Sequence, residues 1–395
     1  MSGPQITTLT IERLVAGGDG LARDADGRVT FVSGALPGET VEVALQRTSR
    51  DFATASLVRV IEASPQRTEP PCRFVAAGCG GCDWQHLVPA AQLTAKLDIV
   101  REAWSRTARL PDIDIVAGPE LPPTARRTTV RTAVGANGRL GFRRRQSHDV
   151  VAIDECMVTH PAIVELLDLV SVRGDGEVSI RCSTSSGERA IVAHDKARVL
   201  GLPDDVGRGV GATVTQSVAG VPLRVSMGSF FQASPEAAEL LVSLVGAAAG
   251  AEYLSGERGA VVDAYGGAGL FAATLLGTDV PCTLVESNEH ACADAVRNLR
   301  DHDVEIVRIA VEQWHAHSAG LVIADPARTG LGRAGVATLV ATEAERIVLV
   351  SCDPVAGARD ARLLVDAGYD PHGVTVVDLF PHTHHVEVVA AFDRR

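Results

Sequence analysis

The sequence lacks any apolar run long enough to cross a membrane, because glycine or a charged residue interrupts each apolar stretch well before about 20 residues. Residues 1–5 contain neither the basic nor the apolar segment of a secretion signal, so no such signal is expected. The sequence also contains no internal repeat and no low-complexity segment. These absences predict a cytoplasmic globular protein, and a chain of 395 residues is expected to divide into two or three domains.

Basic residues are outnumbered by acidic ones. The 37 Lys and Arg against 49 Asp and Glu give a net charge of −12, which argues against a general nucleic-acid coat but not against a local basic face. Residues 122–148 contain seven arginines and no acidic residue: Arg126, Arg127, Arg131, Arg139, Arg143, Arg144 and Arg145. On strands, alternate arginines would share a face suited to phosphates. A solvated edge strand protected by charge is the alternative.

Cysteine is unevenly distributed. Of the eight cysteines, Cys72, Cys79 and Cys82 crowd into one short stretch. In a cytosolic chain such clustering indicates a metal site or catalysis rather than disulfides.

Three regions differ in their patterns. Residues 1–66 contain short apolar runs separated by glycine turns, which predicts a small β-barrel. Residues 67–232 contain one helical stretch, at about 89–109, followed by short strands, which predicts a β-rich central domain. In residues 233–395 helices alternate with short apolar strands, which predicts a doubly wound α/β domain.

A glycine-rich loop, residues 263–271, follows the first strand of the α/β domain, and Glu286 ends the next strand. Such glycines let a ligand approach the backbone, and an acidic residue about 20 positions further on suits ribose hydroxyls. A plain tight turn would explain the loop alone. The loop lacks the G-x-G-x-x-G spacing, and a polar motif at 325–330 ends the third strand. Both features favour S-adenosylmethionine over a dinucleotide.

A cysteine and a carboxylate are the candidates for the chemistry. Cys352 ends the fourth strand in a polar, turn-forming context, which favours a reactive over a structural thiol. Residues 382–387 contain three histidines and Glu387, but without the helical spacing typical of zinc ligands, so a catalytic carboxylate is the preferred interpretation.

This pair suits methylation of uracil at carbon 5, which is too weak a nucleophile to take a methyl group directly. Addition of a thiolate to carbon 6 makes carbon 5 nucleophilic, and a base then removes the proton from carbon 5. The target base would have to leave its stack to reach these groups. The prediction is therefore Cys352 as nucleophile and Glu387 as base.

At this point the motifs resemble those of the RNA uracil-5 methyltransferases of the RumA/TrmA type, over nearly the whole chain. The matching segments are residues 17–21, 27–32 and 36–39 (a TRAM barrel), 230–232 (F-F-Q), 263–271, 325–330, 351–360 and 381–387. The resemblance implies a Rossmann-like class I methyltransferase domain, an N-terminal TRAM (OB-like) barrel and a β-rich central domain. It implies catalytic roles for Cys352 and Glu387. The cofactor-binding residues expected for S-adenosylmethionine are Gln232, Tyr265, Gly267, Glu286 and Asp325.

The resemblance also implies a [4Fe–4S] cluster on Cys72, Cys79, Cys82 and Cys156, although from the spacing alone zinc would be equally suitable. The chain departs from the family motifs at Gly266, Ala327, Asp353 and Ala356, where Cys, Pro, Asn and Thr are usual. Asp353 is expected to change how the uracil edge is held, since an ionised Asp cannot donate a hydrogen bond.

Four functions are compared. The leading one is methylation of 23S ribosomal RNA by a monomer, because the TRAM region and the cysteine cluster are typical of that branch. The same chemistry on a T-loop uridine of transfer RNA is the runner-up. A methyltransferase directed at nitrogen or oxygen would need neither Cys352 nor Glu387, and a non-enzymatic RNA-binding protein would not need a nucleophile at all.

Overall fold

The N-terminal region is a closed barrel. The computed structural model describes residues 5–395, so residues 1–4, where no secretion signal is expected, lie outside the described residues. The strands are β1 (Ile6–Leu14), β2 (Gly20–Arg23), β3 (Val29–Ser33), β4 (Thr40–Thr48) and β5 (Phe52–Glu62). They are ordered β1-β2-β3-β5-β4, and β1 also pairs with β4 to close the ring. Alternate residues such as Ile11 and Val43 fill the interior, as the apolar pattern predicted.

Two helices and one strand follow the barrel: α1 (Arg73–Ala76), α2 (Pro89–Ala103) and β6 (Ile115–Ala117). Helix α2 begins with Pro89 at its first position, where a missing N–H costs nothing, and it continues into a π-helical turn at Trp104–Ala108. The predicted helix at about 89–109 is therefore confirmed.

The central part of the chain is rich in short strands. Its elements are β7 (Thr129–Val134), β8 (Leu140–Arg143), β9 (Val150–Ala152), α3 (Pro161–Leu169), β10 (Ser171–Arg173), β11 (Glu177–Cys182), β12 (Arg189–Ala193), β13 (Arg198–Leu200), β14 (Val206–Arg208), β15 (Thr213–Val218) and β16 (Val221–Ser226). Six of them form a sheet ordered β14-β12-β11-β7-β8-β9, and β15 and β16 form a separate hairpin. Helix α3 covers the sheet through Ile163 and Leu166.

The C-terminal region alternates helices and strands as predicted. Its elements are α4 (Pro235–Ala249), α5 (Ala251–Leu254), β17 (Val261–Ala264), α6 (Leu270–Leu275), β18 (Cys282–Glu286), α7 (Glu289–Asn298), β19 (Val304–Arg308), β20 (Leu321–Ala324), α8 (Gly332–Val340), β21 (Arg346–Ser351), α9 (Pro354–Asp366), β22 (Tyr369–Val377) and β23 (Glu387–Arg394). The sheet order is β19-β18-β17-β20-β21-β23-β22-β6. Strand β23 runs antiparallel to β21 and β22, whereas β17, β18, β20 and β21 run parallel. Their carboxyl ends and the start of β23 therefore meet at one edge.

Both faces of this sheet are covered. Val322 and Leu349 pack in one core together with residues of α2, α8 and α9, whereas Ile323 and Val348 pack in the other with residues of α4 and α6. A strand buried on both faces reads as a continuous apolar run, which is why these strands were recognisable in the sequence. No helix in the described part of the chain is both long and apolar enough to cross a membrane.

The predicted middle domain, residues 67–232, requires a correction. Helix α2 buries Leu93, Leu97 and Val100 in the core of the C-terminal sheet. Strand β6 pairs in parallel with β22 at the edge of that sheet. Residues 89–117 therefore belong with the C-terminal sheet, because their apolar side chains cover it, although they precede the central strands in the sequence.

Candidate active site

The register between β21 and β23 brings Cys352 and Glu387 together. Ser351 is paired with Val388. Cys352 and Glu387 are the next residues in that direction, and the charge of Glu387 acts on the Cys352 thiol, so the two side chains are neighbours at this edge. Glu387 is buried, with 4% of its surface exposed, and Cys352 is half-buried.

Burial disfavours the charged form of both groups. Burial raises the pKa of Cys352 to about 12, and the nearby carboxylates of Glu387 and Asp325 add to this effect. Burial and Asp325 also raise the pKa of Glu387 well above its usual value. The positive charge of Arg328 opposes both shifts. The nearby positive charge of Arg328 therefore favours the thiolate form of Cys352 and the carboxylate form of Glu387.

Asp325 and Gln232 lie beside this pair. Burial raises the pKa of Asp325 to about 7. The Nε2 of Gln232 donates to Oδ2 of Asp325 at 3.5 Å, a long hydrogen bond. Gln232 is buried and Phe230, two residues earlier, is 74% exposed. The predicted residues Gln232 and Asp325 therefore line the catalytic edge, close to Cys352 and Glu387.

The glycine loop and Glu286 form the neighbouring part of the edge. The Gly267 N–H donates to Oε2 of Glu286 at 3.1 Å, and the Asn288 N–H donates to Oε1 at 2.7 Å. Gly267 has φ +56°, and a Cβ atom there would meet nothing within 4 Å. The loop thus leaves open space above its backbone beside a fixed carboxylate, which suits a nucleoside ligand.

Tyr265 shares the left-handed conformation of this loop, with φ 59°. Its hydroxyl donates to Oε1 of Glu312 at 2.7 Å, so its ring is fixed beside the loop. Burial and Glu312 raise the pKa of Tyr265 above its ordinary value, so the phenol is neutral. A positive φ in a non-glycine residue at a ligand-binding loop is typical of a functional constraint.

Asp263 is a functional candidate that the sequence analysis did not single out. It is buried at the end of β17 and accepts from the Ala272 N–H at 3.2 Å. Burial raises the pKa of Asp263 to about 7, and the charges of Asp325 and Glu286 add to this. Its position as the first residue of the glycine-rich motif was the available signal.

Asp360 holds the loop that carries Arg328. Its carboxylate accepts from the N–H groups of Leu331 at 2.6 Å and Gly332 at 3.1 Å. Gly330 has φ +70°, and a Cβ there would lie 2.2 Å from Oδ2 of Asp360. The motif that begins with Ser351 and Cys352 thus ends in a residue that fixes the neighbouring loop, a role that the sequence did not reveal.

Asp353 caps α9. Its Oδ1 accepts from the N–H groups of Val355 at 3.0 Å and Ala356 at 2.8 Å. The expectation that Asp353 changes how a uracil edge is held is therefore not supported by this geometry. Asn and Asp cap helices equally well, so either residue serves here.

We expect Asp353→Asn to leave the stability nearly unchanged and Asp353→Ala to cost about 1 kcal/mol, because only Ala lacks the capping oxygen. Thermal unfolding of both variants measures the difference. Equal losses in the two variants would contradict a capping role.

The three histidines before Glu387 contact different partners. His384 Nδ1 lies 2.6 Å from Oδ2 of Asp83, and the His382 N–H donates to Oε1 of Gln92 at 2.7 Å. The Nη2 of Arg328 donates to Nε2 of His385 at 3.3 Å. The segment before Glu387 is thus fixed from several sides.

The four predicted metal ligands line one pocket. Cys72, Cys79, Cys82 and Cys156 all border it, and burial raises the pKa of Cys82 to about 11. Within residues 5–395, however, no three His, Cys, Asp or Glu side chains are grouped closely enough to hold a metal ion.

The arginine-rich segment does not present a continuous phosphate-binding row. Arg126 is buried and donates to Oγ of Ser234 and to the carbonyl of Leu379. The carboxylate-paired arginines are Arg131 and Arg143 (with Glu177), Arg139 (with Asp168) and Arg145 (with Asp19). Burial removes Arg126 from a phosphate-binding face, whereas Arg131, Arg139 and Arg143 stay largely exposed in these pairs, so a shared face for phosphates stays a prediction.

Known proteins match both the barrel and the whole chain. The TRAM domain family matches residues 5–58. An RNA methyltransferase of Streptomyces avermitilis is 33% identical, over 95% of each chain. The 23S rRNA (uracil(1939)-C(5))-methyltransferase RlmD of Halomonas elongata is 30% identical, over 96% of this chain and 88% of its own.

One solved structure shares the fold over the full length. It is the Pyrococcus abyssi tRNA (uracil-54, C5)-methyltransferase in complex with S-adenosyl-L-homocysteine, with a TM-score of 0.72, 23% identity, and 98% of this chain and 100% of that chain covered. The expected combination of a TRAM barrel and a class I methyltransferase domain is confirmed. The chain belongs to the S-adenosylmethionine-dependent RNA uracil-C5 methyltransferase family.

Proposed function

We propose that the protein methylates carbon 5 of a uridine in 23S ribosomal RNA through a covalent adduct between Cys352 and carbon 6. The observation that carries the proposal is the β21–β23 register, which brings Cys352 and Glu387 to neighbouring positions at the sheet edge shared with the glycine loop. A nucleophile and a base on adjacent strands can act on neighbouring atoms of one ring. The relatives named RlmD support ribosomal RNA as the substrate.

The reaction follows from the two side chains. Cys352 gives its proton to solvent and its sulfur bonds to carbon 6, which moves electrons to the oxygen on carbon 4 and makes carbon 5 nucleophilic. S-adenosylmethionine would supply the methyl group that carbon 5 takes and would be released as S-adenosylhomocysteine. Glu387 then removes the proton from carbon 5, and the electrons of that bond expel the Cys352 thiolate.

Arg328 and Asp325 adjust this chemistry. Arg328 lowers the pKa of Cys352 against the effect of burial. We assign to it the stabilisation of the thiolate and of the negative charge on the base. Asp325 and Gln232, which contact each other, are assigned to the edge of the base or the cofactor. Since the site lies at an enclosed sheet edge, the uridine must leave its stack.

Three residues are proposed to hold the cofactor. Glu286 offers a carboxylate for ribose hydroxyls, and Gly267 leaves open space beside it. Tyr265 provides a fixed aromatic ring next to the loop. These three residues together would bind a nucleoside ligand such as S-adenosylmethionine.

The preference for S-adenosylmethionine over S-adenosylhomocysteine is expected to increase with pH. The pKa of Asp325 is raised to about 7, so its carboxyl gains a charge between pH 6 and 8. Only S-adenosylmethionine carries a sulfonium cation, which binds better beside a carboxylate than beside a neutral acid. Calorimetric titration of both ligands should show their affinity ratio rising at least about threefold over this range.

Asp325→Asn is the control for this effect, because it removes the titrating group, and Asp263→Asn tests the second acid whose pKa is about 7. If the ratio of the two ligand affinities did not change with pH in the wild-type protein, neither carboxyl would face the sulfonium.

The substrate is tested with unmodified transcripts of 23S ribosomal RNA and transfer RNA. Each is incubated with protein and labelled S-adenosylmethionine, digested to nucleosides and analysed for 5-methyluridine by mass spectrometry. We expect 5-methyluridine in the ribosomal transcript. Methylation of the transfer RNA alone would favour the second candidate, which the full-length fold match to a transfer-RNA enzyme supports. Methylation of neither would overturn the proposal.

A [4Fe–4S] cluster on the four cysteines stays a prediction. A pocket bordered by all four thiols supports it. Iron, sulfide and zinc analysis of protein purified without air tests it. The expected result is iron and sulfide, and zinc without iron would refute the cluster and favour a zinc site on the same cysteines.

A further inference from the structure

The loop of residues 227–232 links the central domain to the methyltransferase domain and carries Gln232, which donates to Asp325 in the active site. Phe230 projects into solvent with 74% of its surface exposed, whereas Phe231 and Gln232 are buried. An exposed Phe forfeits about 2 kcal/mol of hydrophobic stabilisation relative to a buried one, so a loop free to rearrange would bury it. Something must therefore fix the backbone in this arrangement.

Asp294 on α7 binds the loop from the methyltransferase domain. This side chain is 2% exposed. Its Oδ2 accepts three hydrogen bonds: from the Ser226 N–H at 2.7 Å, the Ser226 hydroxyl at 2.7 Å and the Ser229 hydroxyl at 2.6 Å. Charge-assisted bonds of this length are the stronger kind.

Arg181 on β11 binds the same two serines from the central domain. It is 3% exposed, and its Nη1 and Nη2 donate to the carbonyl oxygens of Ser226 at 2.7 Å and Ser229 at 2.9 Å. Its Nε donates to the hydroxyl of Thr129 at 3.0 Å. The planar guanidinium thus fixes the spacing between the two serine carbonyls.

The two buried charges depend on each other through the loop. Burial lowers the pKa of Arg181 to about 10, and Asp294 opposes this shift, so the guanidinium keeps its charge at neutral pH. Removing either partner leaves the other charge buried and uncompensated, which is costly. The serines are therefore held by one charge from each domain.

We propose that Arg181 and Asp294 are positioning residues, a two-domain clamp that keeps Phe230 exposed to stack on an RNA base while Gln232 stays beside Asp325. This inference depends on the proposed function in one respect, which is that RNA is the molecule that Phe230 contacts. Stacking of a base on an aromatic ring contributes about 1–3 kcal/mol, and it needs a ring already in place. Neither Arg181 nor Asp294 touches the reacting atoms.

The test uses Asp294→Asn and Arg181→Met in the full-length protein. Hydrogen exchange of peptides spanning residues 226–234 should accelerate in both variants, while peptides from the barrel stay unchanged. The affinity for unmodified 23S ribosomal RNA transcript, measured by filter binding, should fall about 5- to 100-fold, the equivalent of losing one stacked base. The KM for RNA should rise by a similar factor, and kcat should change much less.

Arg346→Met is the matched control, because Arg346 pairs with Asp393 at the opposite edge of the methyltransferase sheet, at 2.7 Å. It removes a partly buried guanidinium and its ion pair without touching the loop, so KM for RNA should stay at the wild-type value. The double variant Arg181→Met/Asp294→Leu removes both buried charges and should regain stability but not RNA affinity.

Two results would overturn the clamp: unchanged exchange of residues 226–234 in the single variants, or full RNA affinity in the stably folded double variant. Exchange and filter binding do not depend on methyl transfer. A protein that formed no 5-methyluridine but showed these changes would refute the proposed function and keep the clamp.

Discussion

Cys352→Ala is expected to abolish methylation, with kcat lowered by about 10⁴-fold or more, the order of magnitude found when a covalent nucleophile is removed. Without the sulfur, carbon 5 of the uracil never becomes nucleophilic. RNA that contains 5-fluorouridine provides the direct measurement, because fluorine cannot be removed as a proton and the adduct persists. The wild-type protein should give a denaturation-resistant protein–RNA complex, and Cys352→Ala should give none.

Cys182→Ala is the matched control. This cysteine is fully buried in the central domain, away from the catalytic edge, so its loss should lower stability but not adduct formation. S-adenosylmethionine binding should be intact in both variants, since Gly267 and Glu286 are unchanged. Full turnover by Cys352→Ala would exclude the covalent route and favour a nitrogen- or oxygen-directed methyltransferase.

Glu387→Gln is expected to trap the enzyme on natural RNA. Cys352 can still add to carbon 6 and carbon 5 can still be methylated, but no group removes the proton from carbon 5. Turnover should fall about 10²- to 10⁴-fold, the usual contribution of a general base. At the same time a covalent complex that contains the new methyl group should accumulate, visible by denaturing electrophoresis with labelled S-adenosylmethionine.

Glu345→Gln serves as the comparison, because Glu345 lies at the opposite edge of the sheet in an exposed pair with Arg258. Exposed pairs of this kind contribute about 0–1 kcal/mol, so this variant should turn over normally. If Glu387→Gln binds S-adenosylmethionine and RNA but forms no adduct, Glu387 acts before the sulfur–carbon bond forms, and its assignment as the final base is wrong.

Much of the fold could be predicted from local pattern. The strands of the methyltransferase sheet are short, continuous apolar runs, since both faces are covered, and the barrel strands alternate between apolar and polar residues. The local pattern was insufficient for residues 89–117. It predicted the helix but could not show which core the helix covers. That depends on the pairing of β6 with β22, which is a long-range contact.

The pattern of charges was less informative than the apolar pattern. Seven arginines in one stretch indicated a phosphate-binding face, yet carboxylates from distant segments, such as Glu177 and Asp19, pair with several of them. The sequence shows how many charged residues a segment contains, but it does not show which distant residues pair with them in the fold. The cysteines behaved differently: the four singled out by spacing do border one pocket.

The sequence by itself determined which groups are the candidates for the chemistry. A thiol and a carboxylate in polar motifs after apolar strands predict a chemistry whatever their distance, and the glycine loop with Glu286 predicts a nucleoside site. Tertiary structure alone decided how these groups act together. The antiparallel return of β23 brings Glu387 next to Cys352, burial raises the pKa of both, and Asp360 fixes the loop that brings Arg328 to them. Register, burial and long-range hydrogen bonds arise from the packing of segments far apart in the chain, so no local stretch of sequence contains them.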